Sequence, residues 1–167
     1  MKRELAWMLV VAVLAGCGDG NGEVIEREGQ PPVSMVGDDD PEMNTAIHKA
    51  QVSLDEFERR LTDPPPKQTY ISLKGRFERG GVVEHIWLNQ VRVVPEGYRG
   101  NIGNEPLNIP DLRYGQEVLL PREDVSDWLA IEDDHLIAGY SVRLLRSRLT
   151  PAERVQFDAQ SKFTIDD

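Results

Sequence analysis

Cysteine is nearly absent: the chain has one, Cys17, in 167 residues. A single thiol can form no intrachain disulfide and no cysteine-based zinc site. The fold must therefore rest on core burial alone. Histidine is scarce as well, and His48, His85 and His135 are scattered without ligand spacing. No metal site and no cofactor is expected. The Gly-x-Ser-x-Gly elbow, the His-Glu-x-x-His helix and the phosphate loop are all missing. The sequence thus reads as a non-enzyme, with no catalytic residue assigned. Positive charge is also in short supply, with 19 Lys and Arg against 29 Asp and Glu, a net charge of −10. Nucleic-acid binding is driven largely by Lys and Arg neutralising phosphates, so that class is excluded. The same balance argues against docking the domain surface on anionic lipid. It suits a well-solvated surface or a basic partner.

What is present begins at the N-terminus. Lys2 and Arg3 precede an almost wholly apolar run from Leu5 to Ala15. A permanent membrane span needs about 20 such residues, so this run is too short. Its length fits the apolar core of a secretory signal peptide. The run ends in Leu14-Ala15-Gly16-Cys17, which resembles the lipobox of bacterial lipoproteins. There the cysteine is linked to diacylglycerol and becomes the new N-terminus. The resemblance implies a signal peptide over residues 1–16, lipidation of Cys17, and attachment to a membrane through that lipid. Lipidation also accounts for an odd thiol in an oxidising compartment. Loss of Lys2, Arg3 and Glu4 removes a net +1, leaving −11. The expected location is the cell envelope, with the domain in the periplasm or otherwise outside the cytoplasm.

Residues 17–40 read as a disordered tether of glycine, acid and Gln30-Pro31-Pro32. As a flexible coil it spans about 26 Å. The domain proper, residues 41–167, opens with a helix: Asp40 caps it, Pro41 fits its first turn, and Glu42 favours its positive end. Met43, Ala46, Ile47, Ala50, Leu54, Phe57 and Leu61 form one helical face. Asp63-Pro64-Pro65-Pro66 ends it. From Gln68 the period becomes two, and strands follow through Tyr70–Phe77, Val82–Val94, Tyr98–Ile102, Gly115–Leu120, Val125–Ile131 and Leu136–Leu145, with a hairpin at Arg79-Gly80-Gly81. Thr150-Pro151-Ala152-Glu153 resembles a capping box that opens a short C-terminal helix. The expected class is α+β: one N-terminal amphipathic helix on a strongly twisted antiparallel sheet, or a small partly open barrel, of five to six strands. A flat four-stranded sheet backed by the helix is the alternative.

Ordered along this stretch are Ala46, Ala50, Leu54 and Phe57; Lys74; Glu84-His85-Ile86-Trp87; Gly100-Asn101-Ile102-Gly103-Asn104-Glu105-Pro106; Asp127-Trp128; and Gly139-Tyr140. Together they resemble the YegJ-like domain of unknown function, found in small bacterial proteins and as a module beside other domains. The resemblance covers roughly Glu42 to Leu145. It implies a compact α+β fold and carries no activity.

The candidate binding residues are Glu84, Trp87, Gly100, Asn104, Asp127 and Trp128. Alternation puts Glu84 and Ile86 on one face of a strand and His85 and Trp87 on the other. If Trp87 enters the core, His85 goes with it. Gly100 to Pro106 is expected to reverse the chain with positive φ at Gly100 and Gly103. Its amides would form a nest for an anion or a peptide carboxylate. Asp127 and Ser126 are expected to fix a local turn while Trp128 packs inside. Arg143, Arg146 and Arg148 form a basic stripe, either paired with the acidic helix face or guarding a strand edge.

The function these features favour is a tethered, non-catalytic binding module for a protein or peptide partner in the envelope. An inhibitor of a basic hydrolase, acting by charge complementarity, is one alternative. An envelope hydrolase using Glu84 and Asp127 is another, and it requires the two carboxyl groups on one side of the sheet.

Overall fold

A computed structural model describes residues 24–27, 30–34 and 40–166. The signal segment and Cys17 lie outside the described residues. Within the stretch expected as a tether, β1 (Val24–Arg27) and β2 (Gln30–Ser34) pair as a two-stranded antiparallel ladder separate from the main sheet.

The main sheet has six antiparallel strands: β3 (Gln68–Arg79), β4 (Val82–Val94), β5 (Gly97–Ile102), β6 (Glu117–Leu120), β7 (Val125–Glu132) and β8 (His135–Ala138). Their order is β6-β5-β4-β3-β7-β8, so the sheet is open and no barrel closes. The β3–β4 hairpin turns at Gly80 and Gly81, with φ of +59° and +80°. Both central residues being left-handed is what a two-residue hairpin matched to strand twist demands.

Among the described residues four α-helices accompany the sheet, where the sequence promised two. The N-terminal helix is broken into α1 (Pro41–Val52) and α2 (Leu54–Thr62). Asp40 caps α1 as expected, accepting from the Glu42 and Met43 amides. The break falls at Ser53, whose hydroxyl bonds back to the Lys49 and Ala50 carbonyls. Such back-bonding bends helices without proline or glycine. The Ser53 oxygen then accepts from the Trp128 indole at 2.8 Å and the Tyr140 hydroxyl at 3.2 Å. The junction is thus fastened to the sheet.

The stretch Leu136–Leu145, expected as one strand, divides. β8 stops at Ala138; Ala138 and Gly139 take φ of +54° and +63°, and α3 (Tyr140–Arg148) begins. The alternation Tyr140-Ser141-Val142-Arg143-Leu144 imitates a strand. What starts the helix lies elsewhere in the chain, on β7. α4 (Pro151–Gln160) has the expected capping box at Thr150 and Glu153.

Two apolar clusters flank the sheet. The larger joins Ala50, Leu54 and Phe57 to Leu73, Phe77, Ile86, Leu88, Tyr98, Ile102, Leu120 and Trp128. Fully burying each such side chain is worth about 1.5–3 kcal/mol. On the opposite face Leu129, Ile131, Leu136 and Ile165 pack with Tyr70, Trp87, Val142, Phe157 and Phe163. Trp128 is therefore a core residue as expected. Trp87 sits half-buried on the second face, with His85, while Glu84 and Ile86 face the main core. The β8 edge is covered by the C-terminal segment: the Leu136 amide donates to Thr164 O, and the Thr164 amide donates to Asp134 O. β6, at the other edge, has no second strand beside it among the described residues.

Candidate functional site

Glu84 is a buried acid near the turn end of β4, opposite Phe77 and on the same face as Ile86. A lone buried carboxylate is costly unless it is hydrogen-bonded. Its two oxygens accept from the Leu107 amide at 2.9 and 3.1 Å, and one accepts from the Asn108 amide at 2.9 Å. The amides that hold an anion are those of Leu107 and Asn108, just after the predicted loop, and the anion is the chain's own Glu84. The loop after β5 is pinned as well. The Gly103 amide donates to Trp87 O at 2.7 Å, and Asn104 Oδ1 accepts from the Trp87 amide at 2.9 Å. Asn104 thus extends the ladder on β4 with a side chain.

Gly100 and Gly103 are not left-handed; neither is among the positive-φ residues. Close approach explains them instead. A Cβ on Gly100 would lie 3.1 Å from Leu88 Cβ, and one on Gly103 would lie 3.0 Å from Trp87 O. Glycine lets β5 and its loop lie against β4.

Asp127 is wholly buried on β7. One oxygen accepts from the Trp128 amide at 2.8 Å and the Tyr140 amide at 3.1 Å. The other accepts from the Ser141 amide at 2.8 Å and the Ser141 hydroxyl at 2.5 Å. Tyr140 and Ser141 open α3, whose own Gly139 has no capping side chain. Asp127 caps that helix from a strand, meeting the helix's positive end. Its reach exceeds the local turn expected of it.

Lys74 stands directly across from both Asp127 and Trp87. Its Nζ lies 3.4 Å from Ser141 Oγ and 5.2 Å from the centre of a Trp87 ring. Burial pushes the Lys74 ammonium down, against the pull of Asp127. Burial likewise raises the Asp127 carboxyl, against the Ser141 hydroxyl, Lys74 and the neighbouring amides. This cluster is a packed polar joint; Ser141 is itself buried.

The structure therefore brings Trp87 together with Asn104 on one side and with Lys74 and Asp127 on the other. It separates Glu84 from them. Lys74 pairs with Asp127 and Phe77 with Glu84, so the two acids project from opposite faces of the sheet. Both are saturated by backbone amides. The hydrolase built on Glu84 and Asp127 is excluded on that geometry.

The basic stripe does not guard a strand edge, since it lies on α3. Arg148 pairs with Asp40 and Glu42 at the start of α1, Arg146 with Asp158, and Arg143 with the carbonyls of Ala138 and Leu136. Arg148 holds the Asp40 carboxyl down at about 2. Between α1 and α3 runs an open groove of about 420 Å³ lined by Glu42, Thr45, Lys49, Tyr140 and Arg143.

Sequence reasoning missed one other surface. The second face is packed by α3 and α4 around Trp87, and among the described residues Arg92, Arg99, Glu117 and Leu119 on β4, β5 and β6 reach solvent on it. Arg92 on β4 lies directly opposite Arg99 on β5, and Arg99 opposite Leu119 on β6. Glu117 takes both guanidiniums, at 2.8 and 3.5 Å. Asn101 donates to Gln90 Oε1 at 2.9 Å. Leu119 is 39% exposed. Periodicity alone could not find it, since a one-residue bulge is what brings Arg92 to this face.

Among the described residues no group of three or more His, Cys, Asp or Glu is placed to hold a metal, and no helix is long and apolar enough to cross a membrane.

Fold and site together define an α+β domain whose buried carboxylates serve as internal caps and whose open sheet face carries arginines. The chain belongs to the family described as "Uncharacterized protein conserved in bacteria (DUF2314)", whose model matches residues 40–165. It is 30% identical over 106 residues to the uncharacterised protein YegJ of Escherichia coli, covering 64% of this chain and 68% of that one. It is also 28% identical over 82 residues to a putative ankyrin repeat protein of Neisseria meningitidis, covering 49% of this chain. There the chain spans about a third (32%) of the relative's length. No solved structure matches it.

Proposed function

We propose that the protein is an envelope lipoprotein, held through Cys17, whose domain is a non-catalytic module for a protein partner. The observation that carries the binding reading is the division of labour in the sheet. Both buried acids are consumed by backbone amides, whereas among the described residues nothing covers the face over β5 and β6, which bears Arg99, Asn101 and Leu119 with Arg92 of β4 beside them. The Neisseria relative's name pairs a matching segment with ankyrin repeats, and stacked repeats present extended binding surfaces. An inhibitor of a basic enzyme would present acids on its open face, and arginines there disfavour it.

Two measurements test this. Labelled palmitate should enter the chain in cells and be lost on Cys17→Ser; label in the Ser variant would sink the anchor. A photo-crosslinking residue at Asn101 or Leu119 should capture a defined partner in cells. The same residue at Asp55, an exposed position on α2, should not. Equal capture at all three positions, or none at the first two, would refute the binding face.

A further inference from the structure

We infer that the open face takes an extended acidic peptide segment, added as a strand beside β6 with its carboxylates toward the guanidiniums that Arg92 and Arg99 extend to Glu117 on β6. This deepens the binding-module reading and rests on it.

The argument starts at the bulge in β4. Between Asn89 and Arg92 the register with β5 slips by one residue, and Gln90 takes φ of +52°. A non-glycine residue there is strained, and such strain persists only where the surroundings require it. Along β4 the even residues Glu84, Ile86 and Leu88 face the main core. Without the bulge Arg92 would join them. With it, Val91 packs toward that core and Arg92 turns to the open face opposite Arg99.

Two like charges directly across a ladder are unfavourable. Here a single carboxylate, Glu117, serves both, so the trio retains one positive charge on a domain that is otherwise acidic. A carboxylate from outside would complete it. Farther along the same face Arg76 is already paired with Glu78 at 2.9 Å, so the surplus charge is confined to the Arg92, Arg99 and Glu117 trio.

The shape of the occupant follows from the edge. β8 is covered by the C-terminal segment, and among the described residues no strand pairs with the outer edge of β6. An open edge offers a row of backbone donors and acceptors to an incoming strand. β6 spans Glu117–Leu120, so it can pair with about four residues of a partner. On an alternating strand, acidic side chains toward the arginines leave apolar ones for the other face of the sheet, where Val118 is only partly buried against the core.

The probe is a displayed library of random octapeptides, selected on the full chain. Selected peptides should alternate Asp or Glu with apolar residues. The best of them, made with a fluorescent label, should lose at least tenfold in affinity to the Arg92→Gln/Arg99→Gln variant. Replacing its acids with lysine, which leaves the protein untouched, should abolish binding. Methylating its alternate backbone nitrogens should weaken it at least tenfold. Selection without acidic alternation, or binding indifferent to both arginines or to N-methylation, would overturn the inference. So would phosphatidylglycerol vesicles that bind with the same arginine dependence while peptides do not. If Asn101 and Leu119 crosslink a partner in cells but no acidic peptide is selected, the module stands and the acidic strand falls.

Discussion

Asp127→Asn is the sharpest test of how this fold is fastened. The aspartate offers two acceptor oxygens to four donors: the amides of Trp128, Tyr140 and Ser141 and the Ser141 hydroxyl. Asparagine keeps one of those oxygens and turns an NH2 on the other pair. Its better placement keeps the oxygen toward Trp128 and Tyr140 and lets the Ser141 hydroxyl rotate to accept. The Ser141 amide is then buried without a partner, which costs about 1–3 kcal/mol. The negative charge facing Lys74 is lost as well. A hydrogen bond to a charged group is worth about 1.5–3 kcal/mol, more than its neutral counterpart. A total near 4 kcal/mol is a large part of the roughly 5–15 kcal/mol that holds a domain together. Urea unfolding followed by tryptophan fluorescence should show a fall in midpoint at constant slope. Adding Lys74→Met removes the uncompensated ammonium. The double variant should therefore be more stable than the sum of the single costs by about 1–3 kcal/mol. A loss under about 1 kcal/mol for Asp127→Asn, or strict additivity with Lys74→Met, would refute the ionised hub.

Three further outcomes are expected. Glu84→Ala empties the nest at Leu107 and Asn108 and should cost about 3 kcal/mol; formate or acetate should restore part of it saturably, and chloride at equal ionic strength should not. No anion effect on the melting temperature would count against the nest. Arg148→Ala releases Asp40, whose carboxyl is held at about 2 against an ordinary 3.8. A lowered folded value means stability is present above the ordinary value and is lost as pH falls from about 4 to about 2. The variant should lose about 1 kcal/mol at neutral pH and show a shallower acid limb in that window; parallel curves would contradict it. Gly97→Ala at φ +132° would drive a Cβ to 2.4 Å from Leu120 O and should cost about 3 kcal/mol, read by thermal unfolding.

Much of the fold was legible in local pattern. The Asp40 cap, the Gly80-Gly81 hairpin, the five strands from β3 to β7 and the Thr150 capping box all depend on neighbours within a few residues, and they stand where the sequence puts them. The failures share a cause. The break at Ser53 is fastened by Trp128 and Tyr140, far along the chain. The α3 start is capped by Asp127, and its alternation gave the wrong period. Parity on β4 was correct, but parity cannot say which face meets the larger core. Two-sided burial of the sheet by helices put Glu84 inside and Trp87 on the lesser face.

The same nonlocality explains why the candidate site was only half visible. Each polar residue singled out in the sequence was chosen because it looked too costly to bury idly, and that reasoning holds. Glu84, Asn104 and Asp127 are indeed special, and what they bind is this chain's own backbone. A buried acid with amide partners and a buried acid awaiting a ligand look identical in a sequence. The open face was overlooked for the converse reason. Arg92 and Arg99 read as ordinary solvated charges until the bulge at Gln90 sets them side by side on one carboxylate. Function is therefore better sought where charge is left over than where it is buried. In this domain the leftover charge lies beside the one long sheet's open edge.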